Sequence, residues 1–287
     1  MSVLNAIPSP DVAARVRAVV YRTMGHAHGP VTRLMSPSDM GKMLKPFVFL
    51  DHIDFSGPSL DSFSGFGLHP HSGIVTITWL FEGEVRYEDN LGRRGVIRPG
   101  WVEWMHAGGG AWHGGSLGDS NRLRGFQLWI ALPPEAELGE AFSQYLAPQA
   151  LSTHGPVTVL LGEHGSAKGL IEAPSPINYF SVKLKAGQAW HFQPPQGHQV
   201  AWAAVSKGRL RSSVSIEAGE FVAFEEGEGA IGFEAESDTD FVIGSAAKHP
   251  HDLVLGHYSV HTSADALHQG EARIRQIGQR LRREGRL

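Results

Sequence analysis

Apolar residues alternate with polar ones over many short runs of this chain, which is the period-two pattern of a half-buried β-strand. The most regular run covers residues 74–80 (IVTITWL), and 85–88, 101–105 and 124–132 repeat the pattern. The chain contains 35 glycines, and Gly83 separates the first two runs as a hairpin turn would. Many short strands joined by tight turns predict an all-β protein built as a sandwich or barrel.

A second strand-rich block follows the first and predicts two barrels. Two prolines at 133–134 end the first block, residues 135–150 are expected to form a polar connection or a short helix, and short apolar runs resume between 157 and 243. We therefore expect an N-terminal barrel over 1–134, a C-terminal barrel over 135–262 and a C-terminal helix over 263–287. The helix is predicted because its apolar residues recur at helical spacing. They are Leu267, Ile274, Ile277 and Leu281.

Composition and charge describe an ordinary globular chain. Of its 287 residues, 41% are hydrophobic and 19% are charged, and the formal net charge of −4 gives no electrostatic case for nucleic-acid binding. There is no cysteine, so disulfides and thiolate ligands are excluded. Residues 1–16 lack the basic flank and apolar core of a secretory signal, and no apolar run reaches membrane-spanning length. We expect a cytoplasmic protein without a membrane segment.

Three histidines are the strongest candidates for chemistry. Residues two apart in a strand project from the same face, so His69 and His71 can direct two imidazoles into one cavity. His113 follows the glycine run 108–110, which allows a later strand to lie close beside the first. Three neutral imidazoles suit iron, copper, nickel or zinc. The alternative is that these histidines serve packing or lie on the surface.

Comparisons within the chain favour the metal interpretation. The pairs His26/His28 and His249/His251 have the same spacing but no third histidine in such a context, so we expect no metal there. The two strand-rich blocks match each other around Gly83 and Gly208, and around Gly100 and Gly219, which indicates a duplicated barrel. Counted from these glycines, the positions equivalent to the three histidines are Pro194, Gln196 and Gly232. Histidines that only packed a barrel would be expected to recur in the second copy.

The chain resembles the pirin family, of the bicupin branch of the cupin superfamily, in the segments FGLHPHSG (66–73), LFEG (80–83), GRRGVIRPG (92–100) and WMHAGGGAWH (104–113). The resemblance is strongest over 45–132 and implies two antiparallel β-barrels packed face to face. It also implies a divalent metal, typically iron, held in the N-terminal barrel by three histidines and one glutamate. His69, His71 and His113 match the histidine ligands.

The glutamate ligand of the family has no counterpart at the matching position. It lies two residues after the third histidine, where this chain has Gly115, and the alternative carboxylate of wider cupins falls near Val75. Glu103 and His106 are therefore candidate accessory residues near the metal, one of which could act as a base. Iron is the first expectation for the metal, with nickel, copper, zinc and manganese open.

The resemblance implies more than one class of function. Some pirins are similar in activity to quercetin 2,3-dioxygenase, so the leading expectation is an oxygenase that cleaves small flavonol- or catechol-like aromatic substrates with O₂. One alternative is a non-enzymatic regulatory protein with a protein partner, as in pirins that act as transcription cofactors. Another is a small-molecule-binding module without chemistry. The tryptophans near the site are read as barrel core, with an aromatic wall for a flat substrate as the alternative. They are Trp79, Trp101, Trp104 and Trp112.

Overall fold

The structure, a computed structural model, describes residues 16–56 and 66–287 and consists mainly of antiparallel strands. The expectation about a secretory signal falls on residues that lie almost entirely outside this described part. The strands of the first half are β1 (Val19–Thr23), β2 (His26–His28), β3 (Val31–Met35), β4 (Phe47–Ser56), β5 (Phe66–His71), β6 (Ile74–Glu82), β7 (Val85–Asp89), β8 (Arg94–Ile97), β9 (Val102–His106), β10 (Ala111–Leu117), β11 (Arg122–Ala131) and β12 (Phe142–Leu146).

The remaining elements complete the second half and the C-terminal segment. The strands are β13 (Thr153–His154), β14 (Val157–Leu161), β15 (Glu163–His164), β16 (Ala167–Lys168), β17 (Ile177–Leu184), β18 (Ala189–Phe192), β19 (Val200–Lys207), β20 (Arg209–Arg211), β21 (Ser215–Glu217), β22 (Phe221–Phe224), β23 (Ile231–Ala235), β24 (Thr239–Ala246), β25 (Val254–Leu255) and β26 (Val260–His261). The helices are α1 (Met40–Met43), a 3-10 turn (Pro148–Ala150) and α2 (Ala264–Arg283).

The two halves repeat one arrangement of sheets, and the predicted pair of antiparallel barrels is confirmed. In the first half a seven-stranded sheet has the order β12-β9-β6-β11-β4-β3-β2, and a four-stranded sheet has the order β5-β10-β7-β8. In the second half the corresponding orders are β1-β22-β19-β24-β17-β14-β13 and β18-β23-β20-β21. Each half therefore encloses its interior between a large and a small sheet.

The halves exchange edge strands, so they do not divide as the sequence predicts at 134/135. Strand β1 precedes the first barrel in the chain but pairs with β22 of the second half. Strand β12 follows the predicted boundary but pairs with β9 of the first half. The connection expected over 135–150 thus contains a strand, and each half borrows one edge from the other side of the boundary.

The two seven-stranded sheets pack face to face, and side-chain alternation along β6 shows how. Val75, Ile77 and Trp79 point into the core shared by the two halves, together with residues of the second half such as Trp202. Thr78 and the other residues on the opposite face of β6 point to the interior of the first barrel. Trp79 and Trp104 both belong to the shared core, as the core interpretation of the tryptophans predicts.

The C-terminal segment returns from the second half and covers the first. Helix α2 starts at the cap Ser263, whose side chain accepts a hydrogen bond from the Ala266 amide. The residues that α2 buries are Ala266, Gly270, Ile274, Gly278 and Leu281. Ile274 and Leu281 belong to the predicted face, whereas the other three buried residues are glycines or alanine. These small residues let the helix approach the first half closely: a Cβ at Gly278 would lie 2.7 Å from the Trp112 ring. Trp112 Nε1 also donates to the Ile274 carbonyl at 2.9 Å.

Neither helix of the described part of the chain combines the length and the apolar composition needed to cross a bilayer.

Candidate metal centre

The structure brings His69, His71 and His113 together inside the first barrel. His69 and His71 share a face of β5, and His113 on β10 pairs directly opposite His69. The three side chains offer ligand atoms that all lie within 4.8 Å of one another. Among the described residues, this is the one group of three or more potential ligand side chains close enough to hold a metal.

Each of the three imidazoles has a hydrogen-bond acceptor at its Nδ1 atom. His69 Nδ1 donates to the Gly67 carbonyl at 2.8 Å, and His71 Nδ1 donates to the Tyr258 carbonyl at 3.2 Å. His113 Nδ1 donates to the Glu103 carboxylate at 3.1 Å. These acceptors select the tautomer that is protonated at Nδ1, so each Nε2 lone pair is left for another partner.

The surroundings of His69 and His71 favour the neutral imidazole, the form that binds a metal. Burial, with a smaller contribution from His113, lowers the pKa of His69 to about 4. Burial also holds the pKa of His71 well below its ordinary value, and the other two histidines add to this effect. The Nε2 atoms of His71 and His113 are buried without a hydrogen-bond partner. Such atoms are costly to bury unpaired, and a divalent metal between them would satisfy both. The residues present therefore fit a metal.

Glu103 lies behind His113 and is engaged at both carboxylate oxygens. One oxygen accepts from His113 Nδ1, and the other accepts from Thr78 Oγ1 at 2.6 Å. Burial alone would raise the pKa of Glu103, but the interactions with His113, Thr78 and His69 outweigh it and lower that pKa. A carboxylate in this position orients a ligand histidine and raises its basicity. The structure thus places Glu103 as a support for His113, outside the ligand group.

His106 is not brought to the histidine group. It lies on the same face of β9 as Trp104, so it points away from the interior to which Glu103 points. Its ring stacks on Phe142 of β12 at 4.9 Å between centroids. The expectation that His106 is an accessory near the metal does not fit this placement. Glu103 and His106 are three positions apart, and residues an odd number of positions apart in a strand face opposite sides.

Gly115 faces the interior on the same side of β10 as His113, but the space beside it is filled. Gly115 pairs with Tyr87 of β7, and a Cβ built on it would lie 2.7 Å from Val85 Cγ1. The neighbouring Gly114 is more tightly held, since its Cβ would lie 2.8 Å from the Leu68 amide nitrogen. Strands β5, β7 and β10 approach closely here because these residues lack side chains.

A small cavity adjoins the histidines and opens into a groove. The cavity has a volume of about 40 Å³, enough for a few water molecules, and His69, His113 and Glu103 line it. A groove of about 340 Å³ outside it shares the lining residues Phe66 and Tyr87 with the cavity. None of the described residues that line the cavity is a tryptophan, so the aromatic wall expected as an alternative is not formed by tryptophans.

Two tyrosines near the carboxylates were not expected from the sequence. Tyr87 lines the cavity and stacks on Tyr145 at 3.7 Å between ring centroids. Tyr145 pairs with Glu103 across β12 and β9. Burial and the charges of Asp89 and Glu103 raise the pKa of both phenols, which therefore stay protonated. The inward alternation along β7 could have indicated Tyr87, but Tyr145 lies in a segment that reads as a connection.

The other two histidine pairs do not form comparable groups within the described residues. His26 and His28 are exposed on the edge strand β2. The rings of His249 and His251 lie 5.4 Å apart, and no third ligand side chain joins them.

Fold and site together define a double-barrel protein with a group of three histidines in one barrel that could hold a metal, and comparison with known proteins agrees on the fold. The family model for pirin matches residues 29–130. A pirin-like protein of Caulobacter vibrioides is 36% identical over 190 residues, which cover 63% of this chain and 67% of that protein. The chain belongs to the pirin family.

Further relatives carry the name of an enzyme. A Pseudomonas aeruginosa protein named "Putative quercetin 2,3-dioxygenase PA3240" is 38% identical over 166 residues, which cover 54% of this chain and 58% of that protein. The match thus spans less than two thirds of that relative's length.

Solved structures share the fold. The crystal structure of quercetin 2,3-dioxygenase from Acinetobacter baumannii has a TM-score of 0.81 at 24% identity, with 91% of this chain and 98% of that chain covered. The bacterial pirin YhhW from Escherichia coli, in complex with nickel(II), has a TM-score of 0.61 at 21% identity, with 78% and 95% covered.

Proposed function

We propose that this protein is a metal-dependent oxygenase of the quercetin 2,3-dioxygenase type, acting on flavonol- or catechol-like substrates with O₂. One observation carries the proposal: three histidines, each with a hydrogen-bond acceptor at Nδ1, bring ligand atoms within 4.8 Å of one another at the end of a cavity. The names of the Pseudomonas and Acinetobacter proteins support the reaction type.

In this proposal His69, His71 and His113 hold one divalent metal. Iron is the leading candidate, nickel is supported by the YhhW complex, and copper, zinc and manganese remain alternatives. The bound metal would supply a Lewis-acidic centre, capable of redox change in the case of iron, for the reaction of an aromatic substrate with O₂.

The residues of the chain provide orientation and a proton acceptor. Glu103 is the carboxylate among the described residues that line the cavity, and its lowered pKa keeps it ionised at neutral pH. It is therefore the candidate acceptor for the proton of a substrate hydroxyl, since each of its oxygens has a second lone pair. Tyr87 would contact the flat face of the substrate at the boundary between cavity and groove.

The size of the cavity limits how a substrate can bind. A flavonol is much larger than 40 Å³, so it would occupy the outer groove and present one edge to the histidines. The same narrowness favours a second candidate function. A barrel that holds a metal but admits no large substrate suits a non-enzymatic regulatory protein, which would act through a protein partner.

An oxygen electrode distinguishes the two candidates. Iron- or nickel-loaded wild type should consume O₂ slowly with quercetin, well below the median enzyme turnover of about 10 per second, because the described residues offer three histidine ligands and no fourth ligand side chain beside them. Metal-free wild type and His113→Ala should consume none. If all three samples give flat traces across a panel of catechols and flavonols, the oxygenase proposal fails for these substrates.

A further inference from the structure

The hairpin β25–β26 supplies one of the hydrogen-bond acceptors of the histidine group from a distant part of the chain. Tyr258, at its turn, presents the carbonyl that accepts from His71 Nδ1. The hairpin lies directly against the backbone after β5: the Val260 amide donates to the Ser72 carbonyl at 3.2 Å. Gly73 has a left-handed φ of 72°, and a Cβ there would lie 2.0 Å from the Val260 carbonyl oxygen. A side chain at residue 73 would therefore push the hairpin away.

A buried network of side chains holds the hairpin in this position. Ser72 Oγ is hydrogen-bonded to Ser259 Oγ at 2.8 Å and lies 3.0 Å from His261 Nε2. His261 Nδ1 donates to the Glu137 carboxylate at 3.1 Å. Glu137 also accepts from the amide of Thr262 at 2.7 Å and from its hydroxyl at 2.6 Å. The network thus joins the residue after His71, the linker between the halves and the hairpin.

The series serine, histidine and carboxylate has the order of a nucleophilic triad, but burial excludes that role. Ser72 is 0% exposed, His261 is 1% exposed and Glu137 is 3% exposed. A nucleophile must reach a substrate, and Ser72 Oγ is enclosed by Ser259 and by helix α2. A Cβ at Gly270 of α2 would lie 2.5 Å from that oxygen. The network therefore orders the structure around it.

We infer that Ser72, His261 and Glu137 are positioning residues of the metal centre, which act on His71 through the carbonyl of Tyr258. This inference rests on the proposed metal role of His71. The acceptor at Nδ1 selects the tautomer in which Nε2 is free, and it fixes the plane of the ring. Loosening the hairpin would let His71 change tautomer or rotate, so its Nε2 would bind a metal less well.

The experiment compares two serines in matched surroundings. Ser72→Ala removes the hydroxyl that joins His261 to the hairpin. Ser245→Ala is the control, because Ser245 is equally buried and hydrogen-bonded to His198 at 2.9 Å in the second half. Cobalt(II) is the probe, measured by its affinity and its visible absorption. The tautomer of His71 is measured in the metal-free protein by the ¹⁵N shifts of its ring.

We expect Ser72→Ala to weaken cobalt binding by roughly tenfold or more, the usual range for residues that orient ligands. Its cobalt absorption should change, and the ring shifts of His71 should move from a single Nδ1-protonated form to a mixture. His261→Ala should have a similar effect, whereas Ser245→Ala should leave all three measurements at wild-type values. Glu137→Gln, which keeps the shape of the side chain, serves if His261→Ala does not fold, with a smaller loss expected.

Wild-type cobalt affinity and an unchanged His71 tautomer in folded Ser72→Ala and Glu137→Gln would overturn the inference. The ring measurement also separates this inference from the proposed function. If wild type binds no cobalt, the proposed metal role fails. The tautomer of His71 in the metal-free variants still decides whether the network positions that ring.

Discussion

Placing the family's glutamate at Gly115 tests why this chain lacks it. Gly115 does not have a left-handed backbone, so a larger residue is not excluded by φ. The obstacle is Val85, whose Cγ1 would lie 2.7 Å from the new Cβ, well inside an ordinary contact of about 3.4 Å or more. Overpacking of this kind costs about 1–3 kcal/mol. Gly115→Glu should therefore lower the free energy of unfolding by about that amount, without tighter metal binding.

Shortening Val85 should restore the stability lost in Gly115→Glu and should allow the new carboxylate to tighten metal binding. Val85→Ala deletes two partly buried methyl groups, and at about 0.8 kcal/mol for each fully buried group it should cost about 1 kcal/mol alone. In Gly115→Glu/Val85→Ala the two losses should not add, and the coupling between the sites should be about 1 kcal/mol or more. Nickel affinity of this double variant should rise by roughly tenfold over wild type, at the low end of the effects that neighbouring groups have on metal sites.

Urea unfolding and a competition titration with nickel measure these quantities. Gly115→Gln/Val85→Ala is the matched control, since it has the same bulk without the carboxylate and should recover stability without gaining affinity. Two results would refute the reasoning. One is tighter nickel binding and undiminished stability in Gly115→Glu alone. The other is a folded double variant whose affinity equals that of the glutamine control.

Three further predictions concern the histidine group. His71→Ala should abolish the binding of about one divalent metal per chain while the barrel stays folded, whereas His251→Ala should retain it, and elemental analysis after metal loading would detect the opposite pattern. Glu103→Gln should weaken metal binding by roughly 10- to 100-fold, and a competition titration that finds wild-type affinity would show that the carboxylate does not support the ligand. Burial lowers the pKa of His69 from 6.5 to about 4, so in the metal-free protein the unfolded chain binds a proton at His69 at a higher pH than the folded chain does. The free energy of unfolding should therefore fall as the pH drops from 6.5 to 4. His69→Gln should make that decline shallower in urea titrations without removing it, because His52 and His249 also have pKa values lowered to about 4, and an unchanged slope would contradict the assignment.

Local periodicity accounts for the parts of the site that the sequence predicts. Alternation places His69 and His71 on one face, and the glycines before His113 allow β10 to lie against β5. The same alternation puts Glu103 and His106 on opposite faces of β9. It does not say which face is the interior, because each face of that strand carries both apolar and polar residues: Val102, Trp104 and His106 lie on one face, and Glu103 and Met105 lie on the other.

Contacts between distant segments account for what the sequence does not predict. The Tyr258 carbonyl reaches His71 only because the C-terminal hairpin returns to the first half, and no local pattern marks that return. Tyr145 joins the site because β12 pairs with β9 across the expected domain boundary. The exchange of β1 and β12 between the halves is likewise decided by which sheet edge is open, which is a property of the assembled fold.

The described residues of the second half show why that barrel does not repeat the histidine group of the first. Counting from the shared glycines aligns the histidines with Pro194, Gln196 and Gly232, but strand pairing gives a different match. The connection from β18 to β19 covers 193–199, whereas the corresponding connection in the first half covers only 72–73. Counting back from Gly208 therefore places Pro194 and Gln196 in the longer connection and not in β18. In the paired strands β18 and β23 the inward positions include Trp190 and Phe233, whose rings stack at 5.7 Å between centroids. These aromatic rings fill the interior where the first half has imidazoles and a cavity. Single histidines introduced there would therefore meet a packed core, and a second metal centre would require the removal of several rings at once.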